Sequence, residues 1–173
     1  GPLYENVMAR LSINLQKGNE RLRPIAVRRL HQIAEEDIRS SLAPFGYYHP
    51  EISSSLEKRG DAYYAEYIIQ KGAPVIVRQV TVQLAGEGKN NTQLIEAIHL
   101  FPIQQGDILN QAVYEKGKKN LVIAAYAEGF LDAGFDTRLL RVDRKKNVAS
   151  VRLVLDTGRQ YVFGEITSNQ RVL

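Results

Sequence analysis

The feature of this sequence that most constrains its fold is an internal repeat. Residues 41–48 and 124–131 each end an amphipathic helical run at a glycine, Gly46 or Gly129, which an aromatic residue follows at once. A second matched pair, residues 70–80 and 156–166, lies downstream, and both pairs show a spacing of about 85 residues. Two matched segments at nearly one spacing predict two copies of one structural unit in series.

Apolar periodicity predicts two helices in each copy. The long helix of the first copy carries one apolar stripe, formed by Leu30, Ile33, Ala34, Ile38, Leu42 and Phe45. Pro24 suits the first turn of that helix, and Gly46 suits the left-handed residue that follows its end. In the second copy Asn110 is a candidate N-cap, and Gly129 ends the helix. Shorter helices are predicted over residues 4–15 and 92–100.

Each glycine is followed by a pattern that favours β-strands. Residues 48–58 and 62–70 flank a turn signal and predict one hairpin, and residues 135–144 and 148–155 predict another. Alternating apolar residues over 77–84 predict a strand that opens the second copy, and 161–168 is its counterpart further along. Each copy therefore reads strand, helix, helix, strand, strand.

This order predicts an α+β fold in which two helices pack on a three-stranded mixed sheet, repeated in tandem. The first repeat is expected over residues 1–74, with its opening strand missing or upstream. The second repeat is expected over residues 75–158, and residues 159–173 are expected to form the opening strand of a third. No apolar run approaches the roughly 20 residues that span a bilayer, so any membrane part is expected outside this sequence.

The sequence offers little support for catalysis or a bound cofactor. Cysteine is absent, which removes disulfides, thiolate metal sites and thiol catalysis. His31 and Glu35 share a helix face, but a surface hydrogen bond is favoured over a general-base pair. Asp132 and Asp136 have a calcium-loop spacing with too few oxygen ligands around them. We expect a protein that is not an enzyme and holds no cofactor or small-molecule substrate.

Nucleic-acid binding is the main alternative class. The chain carries 23 basic and 19 acidic residues, for a net charge of +4, and its element order resembles a KH module in outline. That module needs a GxxG loop between its helices, and neither helix connection, 16–20 or 101–107, contains one. The basic clusters near residues 21–29 and 138–146 are more typical of solvated faces than of an anion-docking surface. We expect no nucleic-acid partner.

Four motifs resemble a known family. Residues 45–50, with the sequence FGYYHP, resemble the end of the first POTRA repeat of the TamA family, and residues 107–114 resemble the entry to the long helix of its second repeat. Residues 129–132 resemble the exit from that helix, and residues 158–166 are similar to the junction with a further repeat. The chain is thus similar to POTRA domains of the outer-membrane assembly barrel superfamily. It departs from the pattern at Phe130, where tyrosine is usual, and in lacking a second-copy match to Pro50.

The resemblance implies the periplasmic portion of a bacterial outer-membrane protein. Its role would be a scaffold that helps outer-membrane proteins to be translocated, inserted and assembled. The implied partners are a TamB-like periplasmic protein anchored in the inner membrane, unfolded outer-membrane protein clients and the protein's own C-terminal β-barrel. A POTRA pair from a two-partner secretion transporter or another assembly barrel is the alternative, followed by an RNA-binding α/β domain.

In this fold the strand after each long helix is expected at a sheet edge, where an extended client segment can add by β-augmentation. The candidate partner-binding residues are Glu51, Ile52, Ser53, Ser54, Ser55 and Leu56 in the first repeat and Thr137, Arg138, Leu139, Leu140, Arg141 and Val142 in the second. Arg138, Arg141 and Arg144 are also expected to discourage self-association of the second edge.

Overall fold

The computed structural model describes residues 1–19, 21–162 and 164–165. In chain order the helices and strands are α1 (Pro2–Arg10), α2 (Ser12–Leu15), α3 (Pro24–Leu42), β1 (Glu51–Arg59), β2 (Ala62–Gln70), β3 (Ile76–Ala85), α4 (Thr92–His99), α5 (Gln111–Ala127), β4 (Gly134–Asp143) and β5 (Val148–Asp156). We refer to α1 through β2 as the first unit and to β3 through β5 as the second unit. Within the described residues, no helix combines the length and apolarity needed to cross a bilayer.

The second unit has the predicted α+β arrangement. Its sheet has the strand order β3-β5-β4, in which β3 is parallel to β5 and β4 is antiparallel to it. Because side chains alternate along a strand, Val151, Leu153 and Leu155 of the central strand β5 all face one side. They are almost completely buried in one apolar core with Leu94 of α4 and Leu121 of α5. The mixed three-stranded sheet with two helices is therefore confirmed for this unit.

The first unit has a smaller sheet and a smaller core. Only β1 and β2 pair in the described part of this unit, and they are antiparallel. Buried residues from the helices α1 and α3 pack together, and half-buried side chains of the hairpin cover them from one side. The buried set consists of Val7, Leu11, Ala34, Ile38 and Leu42. In its described part, this unit therefore consists of helices packed on one face of a two-stranded antiparallel sheet.

The short helix predicted over residues 4–15 is broken in the structure. Leu11 has an extended backbone (φ −70°, ψ 104°) between α1 and α2, and its side chain is buried. The amide of Ser12 donates to the carboxylate of Asp37 at 2.8 Å. The break thus places an apolar side chain in the core while a side chain on α3 satisfies the freed amide.

The predicted ends of the long helices are confirmed, with one correction. Pro24 occupies the first turn of α3, Gly46 has a left-handed φ of 86°, and the side chain of Asn110 accepts hydrogen bonds from two amides at the start of α5. Phe45, predicted on the helix, lies in a short 3₁₀ turn (Ala43–Phe45) instead. Pro44 explains the change because it lacks the N–H that would continue the α-helical pattern.

A short connection, residues 71–75, joins the two units. The amide of Val75 donates to the carbonyl of Gly46 at 2.8 Å, and the amide of Leu109 donates to the carbonyl of Val75 at 2.9 Å. A Cβ added to Gly46 would lie 2.7 Å from the Leu109 carbonyl oxygen, so only glycine allows this close approach. The end of α3 is therefore joined to the second unit by main-chain contacts. Most of the strand predicted over 161–168 lies outside the described residues, and Tyr161 and Val162 form no regular structure.

Candidate functional site

The first predicted binding segment, residues 51–56, forms the first part of strand β1. This strand pairs with β2 alone among the described residues, with Ser54 opposite Tyr67. Ile52 and Leu56 are half-buried toward the helices, whereas the three serines between them are exposed. The start of the strand is fixed by Arg39 of α3, whose guanidinium donates to the carbonyl of Pro50 at 2.8 Å. One long side of β1 therefore presents main-chain groups beside small side chains.

The second predicted segment, residues 137–142, lies on strand β4. This strand pairs with β5, and its register shifts between Phe135 and Thr137. Arg138 and Arg141 are exposed along the segment. The two predicted segments lie in different sheets, so the structure gives two separate edges and not one composite site.

Arg144, which was expected to discourage self-association of the second edge, contacts the first unit. It lies in the turn after β4 because the strand ends at Asp143. Its guanidinium carbon sits 4.9 Å from the ring centroid of Tyr48, an arrangement that favours a cation–π contact. The ring nitrogen Nε2 of His49 lies 2.9 Å from the Arg144 carbonyl oxygen, and Gln111 donates to the Tyr48 hydroxyl at 3.1 Å. These side chains join the two units, a role that their sequence positions did not indicate.

The aromatic residues of the first hairpin are divided between the two faces of its sheet, as alternation predicts. Tyr67 and Ile69 pack against the core of the first unit. Tyr64 and Ile68 lie on the opposite face and are 53% and 58% exposed. The guanidinium of Arg59 lies 5.1 Å from the centroid of the Tyr64 ring. The open face of this hairpin therefore offers an aromatic and an aliphatic contact surface beside the β1 edge.

The histidine predicted to hydrogen-bond Glu35 has a different partner. His31 Nδ1 lies 2.8 Å from the Tyr67 hydroxyl, because β2 passes beneath α3 and brings that tyrosine close. Burial raises the pKa of Tyr67 above its ordinary value of 10.0, and the charge of Asp37 adds to the effect. The predicted Glu35 contact is wrong, and the His31–Tyr67 pair instead ties α3 to the hairpin.

Other titratable groups are dispersed. Throughout the residues that the structure describes, no group of three or more His, Asp and Glu side chains is placed to hold a metal ion. Asp132, considered above for a calcium-like spacing, accepts a hydrogen bond from the Tyr161 hydroxyl at 2.7 Å. That hydrogen bond, followed by the aspartate charge, raises the pKa of Tyr161. This pair lies where the chain leaves the second unit.

Comparison with known families gives a match over the first unit. Residues 1–71 match the family model described as POTRA domain TamA domain 1. This range ends directly after strand β2. It therefore includes the first predicted binding edge and the broken helix pair.

Solved structures were also matched at low sequence identity. POTRA3-5 of BamA from Haemophilus influenzae gives a TM-score of 0.44 at 14% identity, over 75% of this chain and 50% of that one. POTRA1-2 of the periplasmic domain of Omp85 from Anabaena gives a TM-score of 0.41 at 20% identity, over 92% of this chain and 86% of that one. BamA from Haemophilus ducreyi lacking POTRA domains 1-3 gives a TM-score of 0.38 at 16% identity, over 90% of this chain and 26% of that one. This chain thus spans half of the first of these proteins and about a quarter of the last.

Proposed function

We propose that the chain is a periplasmic scaffold that binds other proteins, because residues 1–71 match the family model described as POTRA domain TamA domain 1. It would belong to a TamA-like outer-membrane barrel protein and assist the translocation, insertion and assembly of outer-membrane proteins. The proposed partners are a TamB-like periplasmic protein, unfolded outer-membrane clients and the protein's own β-barrel. A two-partner secretion transporter remains the second candidate, because the matched region covers one repeat and not the barrel.

The observation that carries this proposal is the unpaired side of β1. Among the described residues β1 has a partner strand on one side only, and its central residues Ser53, Ser54 and Ser55 are small and exposed. An extended client can add there through main-chain hydrogen bonds, which place little demand on its sequence. That property suits a scaffold that handles many different unfolded chains.

The edge of β4 suits the same mode of binding, but it carries positive charge where the edge of β1 carries serines. Arg138 and Arg141 are exposed along it and would favour clients that carry acidic residues. The same arginines discourage the pairing of two identical edges, since like charges would meet. We therefore propose that β1 is the less selective edge and that β4 prefers acidic segments.

We also propose the repeat boundaries given by the sequence pattern: 1–74 for the first repeat, 75–158 for the second and 159–173 for the opening of a third. The first boundary is supported by the two separate apolar clusters, since Val75 is buried in the cluster of the second unit and the buried residues of the other cluster all precede it. The third segment lies largely outside the described residues, so it rests on the repeat alone.

Proline substitution at the edges tests the proposed function. Ser54→Pro and Leu140→Pro each place proline at an edge strand, where it removes one N–H and the client hydrogen bonds near it. We expect each variant to bind a fluorescently labelled strand peptide of alternating apolar and polar residues several-fold more weakly than the parent chain. Fluorescence anisotropy measures the affinity, and circular dichroism checks that the helices remain folded.

Ser54→Ala and Leu140→Ala serve as matched controls, because they change the same side chains and keep the N–H. Both should bind the peptide as the parent does. Equal binding by the folded proline variants and the parent would contradict β-augmentation at these two edges.

A further inference from the structure

The net charge of the chain is concentrated in one short segment of the first unit. Residues 15–29 contain five of the chain's 23 basic residues and one of its 19 acidic residues. The rest of the chain therefore carries 18 residues of each sign, and these 15 residues alone account for the net charge of +4. We call residues 15–29 the basic segment; its cations are Lys17, Arg21, Arg23, Arg28 and Arg29.

The basic segment runs from the end of α2 into the first turns of α3, and all five of its cations are exposed. Turns keep the connection compact, since the amide of Asn19 donates to the carbonyl of Gln16 at 3.1 Å and the amide of Leu22 donates to the carbonyl of Asn19 at 3.2 Å. None of the five cations forms an ion pair with another residue that the structure describes. Their charge is therefore available to a partner outside the chain.

The part of the segment on α3 directs its side chains away from the core. Ile25 and Arg29 are four residues apart, so they share one face of the helix. Val27 lies on the opposite face and is buried. Glu36 is the first exposed acidic residue further along the outer face, about 10 Å beyond Arg29 along the helix axis. This separation exceeds the screening length of about 8 Å at physiological salt, so the cations dominate the field at this end of α3.

The stability of α3 does not account for these cations. The N-terminus of a helix carries a partial positive charge, which favours acidic residues in the first turn and disfavours basic ones. The first turn of α3 contains no acidic residue, and Arg23 makes no capping hydrogen bond. A solvated face would also mix charges of both signs, as the rest of the chain does. A partner of opposite charge explains the placement better than folding does.

Two large apolar side chains project from the same segment. Leu15 is 64% exposed and Ile25 is 77% exposed. Neither side chain lines the main cleft of the first unit, which lies between the helices and the hairpin, and the four arginines do not line it either. The basic segment therefore presents protruding apolar side chains among cations, and its partner does not need to enter a groove.

This combination indicates the kind of partner. A bilayer with anionic headgroups attracts lysine and arginine, and its interface accepts apolar side chains beneath the headgroups. A single-stranded nucleic acid is normally held by aromatic side chains that stack on its bases, and residues 15–29 contain no aromatic residue. An anionic bilayer surface is thus the partner that matches both the charge and the exposed apolar side chains.

We propose that the basic segment docks the first unit on the surface of a bilayer that contains anionic phospholipids. The five cations contact the phosphate groups of the lipids, and Leu15 and Ile25 enter the interface. The contact is peripheral, and it lies on helices and their connection, apart from the edges of β1 and β4. It therefore does not depend on strand addition, and its failure is distinguishable from failure of the proposed function.

The experiment measures cosedimentation of the full chain with lipid vesicles. We expect binding to vesicles of phosphatidylglycerol and phosphatidylcholine in equal parts, and no binding to vesicles of phosphatidylcholine alone. Salt at about 0.5 M should release the chain, because it screens the attraction between the cations and the headgroups.

A pair of double variants tests whether the basic segment makes the contact. Arg28→Gln combined with Arg29→Gln should weaken binding to the anionic vesicles about 20-fold, because each cation at an anionic surface contributes about fivefold. Arg78→Gln combined with Arg152→Gln removes the same charge from exposed positions of the second unit and should bind as the parent does.

Tryptophan substitution tests whether the apolar side chains enter the interface. The chain contains no tryptophan, so a single introduced one reports only its own surroundings. Ile25→Trp should show blue-shifted emission with the anionic vesicles, because indole rings partition into the interface. Ile123→Trp places the ring on α5 at a position that is 52% exposed, and its emission should not change.

Four results would overturn this inference. Equal binding to both kinds of vesicle, or an equal loss of binding in the two double variants, would show that the basic segment is not the docking surface. Unchanged emission of Ile25→Trp would show that its side chain stays outside the interface. Tighter binding to polyglutamate or to single-stranded RNA than to the anionic vesicles would identify a different partner. Each of these results would leave the proposed strand addition standing.

Discussion

The two units follow the same plan with different degrees of completeness. In the second unit, the central strand β5 is paired on both sides and lies under two helices, and its inward residues Leu153 and Leu155 are completely buried. In the first unit, β1 and β2 pair only with each other among the described residues, and neither strand contains a fully buried side chain. Its buried core comes from helices instead.

This difference shows that the features that stabilise a unit are not those that allow it to bind another strand. A central strand that is paired on both sides buries its apolar face fully, which stabilises the fold. A two-stranded sheet leaves more main-chain groups free for a visiting strand, at a cost in stability. The first unit is therefore expected to be the less stable unit and the more open to strand addition.

Truncation of one core residue in each unit gives the largest expected effect. Ile38→Ala and Leu153→Ala both remove a completely buried aliphatic side chain, which costs about 2–5 kcal/mol of unfolding free energy. We expect Ile38→Ala to unfold the first unit while the second keeps its structure, and Leu153→Ala to lower the stability of the second unit without unfolding it. Hydrogen exchange of amides in α3 and β5, measured across a urea series, distinguishes the units. Loss of protection in both units at one urea concentration would show that they form one cooperative core.

The glycine at the junction gives the next largest effect. Gly46→Ala must place a Cβ at a φ of 86° and 2.7 Å from the Leu109 carbonyl oxygen, so we expect a loss of about 2–4 kcal/mol in urea unfolding. Gly18→Ala has a similar φ of 80° with no atom within 4 Å of the added Cβ, and should cost only the backbone strain of about 1 kcal/mol. Equal losses at the two glycines would mean that the contact between the units contributes nothing.

Local sequence signals predicted much of this fold. The hairpin predicted over 48–58 and 62–70, the left-handed Gly46 and the N-cap Asn110 were each indicated by residues close in sequence, and all three are present. The two candidate edges were located correctly as strands for the same reason. Whether they bind partners stays a prediction.

The features that sequence did not reveal depend on residues far apart in the chain. Leu11 breaks its helix because Asp37 satisfies the amide that follows, and no local signal marks that contact. The sequence pattern extends the predicted strand to Arg144, whereas β4 ends at Asp143 and the fold places Arg144 over Tyr48.

A third prediction concerns the start of the long helices, where the units differ. The helix α5 has Asn110 as a side-chain cap, whereas α3 begins after Arg23, which makes no capping hydrogen bond. Arg23 has an extended backbone (φ −74°, ψ 148°), which suits a capping serine. We expect Arg23→Ser to stabilise the first unit by about 1 kcal/mol in urea unfolding. Arg23→Ala is the control for loss of the arginine, and a gain as large in that variant would contradict capping.

The smallest expected effect concerns the half-buried Tyr67, the buried Tyr114 and the alkaline stability of the unit to which each belongs. Burial, followed by the charge of Asp37, raises the pKa of Tyr67 in the first unit, and burial, followed by Glu115, raises the pKa of Tyr114 in the second. A raised pKa means that the folded state holds the phenol proton more tightly than the unfolded state does. The resulting stability is complete below the ordinary pKa of 10.0 and is lost as pH rises through the folded-state pKa.

Tyr67→Phe should therefore abolish the decrease in unfolding free energy that Tyr67 causes in the first unit at alkaline pH. The decrease that Tyr114 causes in the second unit should be unchanged. At neutral pH it should cost about 0.5–1 kcal/mol, because the hydrogen bond with His31 is lost while the ring still packs. Tyrosinate absorbance measured together with urea unfolding between neutral pH and the alkaline limit tests both parts. If the variant loses first-unit stability with rising pH as steeply as the parent, Tyr67 is not the titrating group, and the alkaline sensitivity of the smaller core must arise elsewhere.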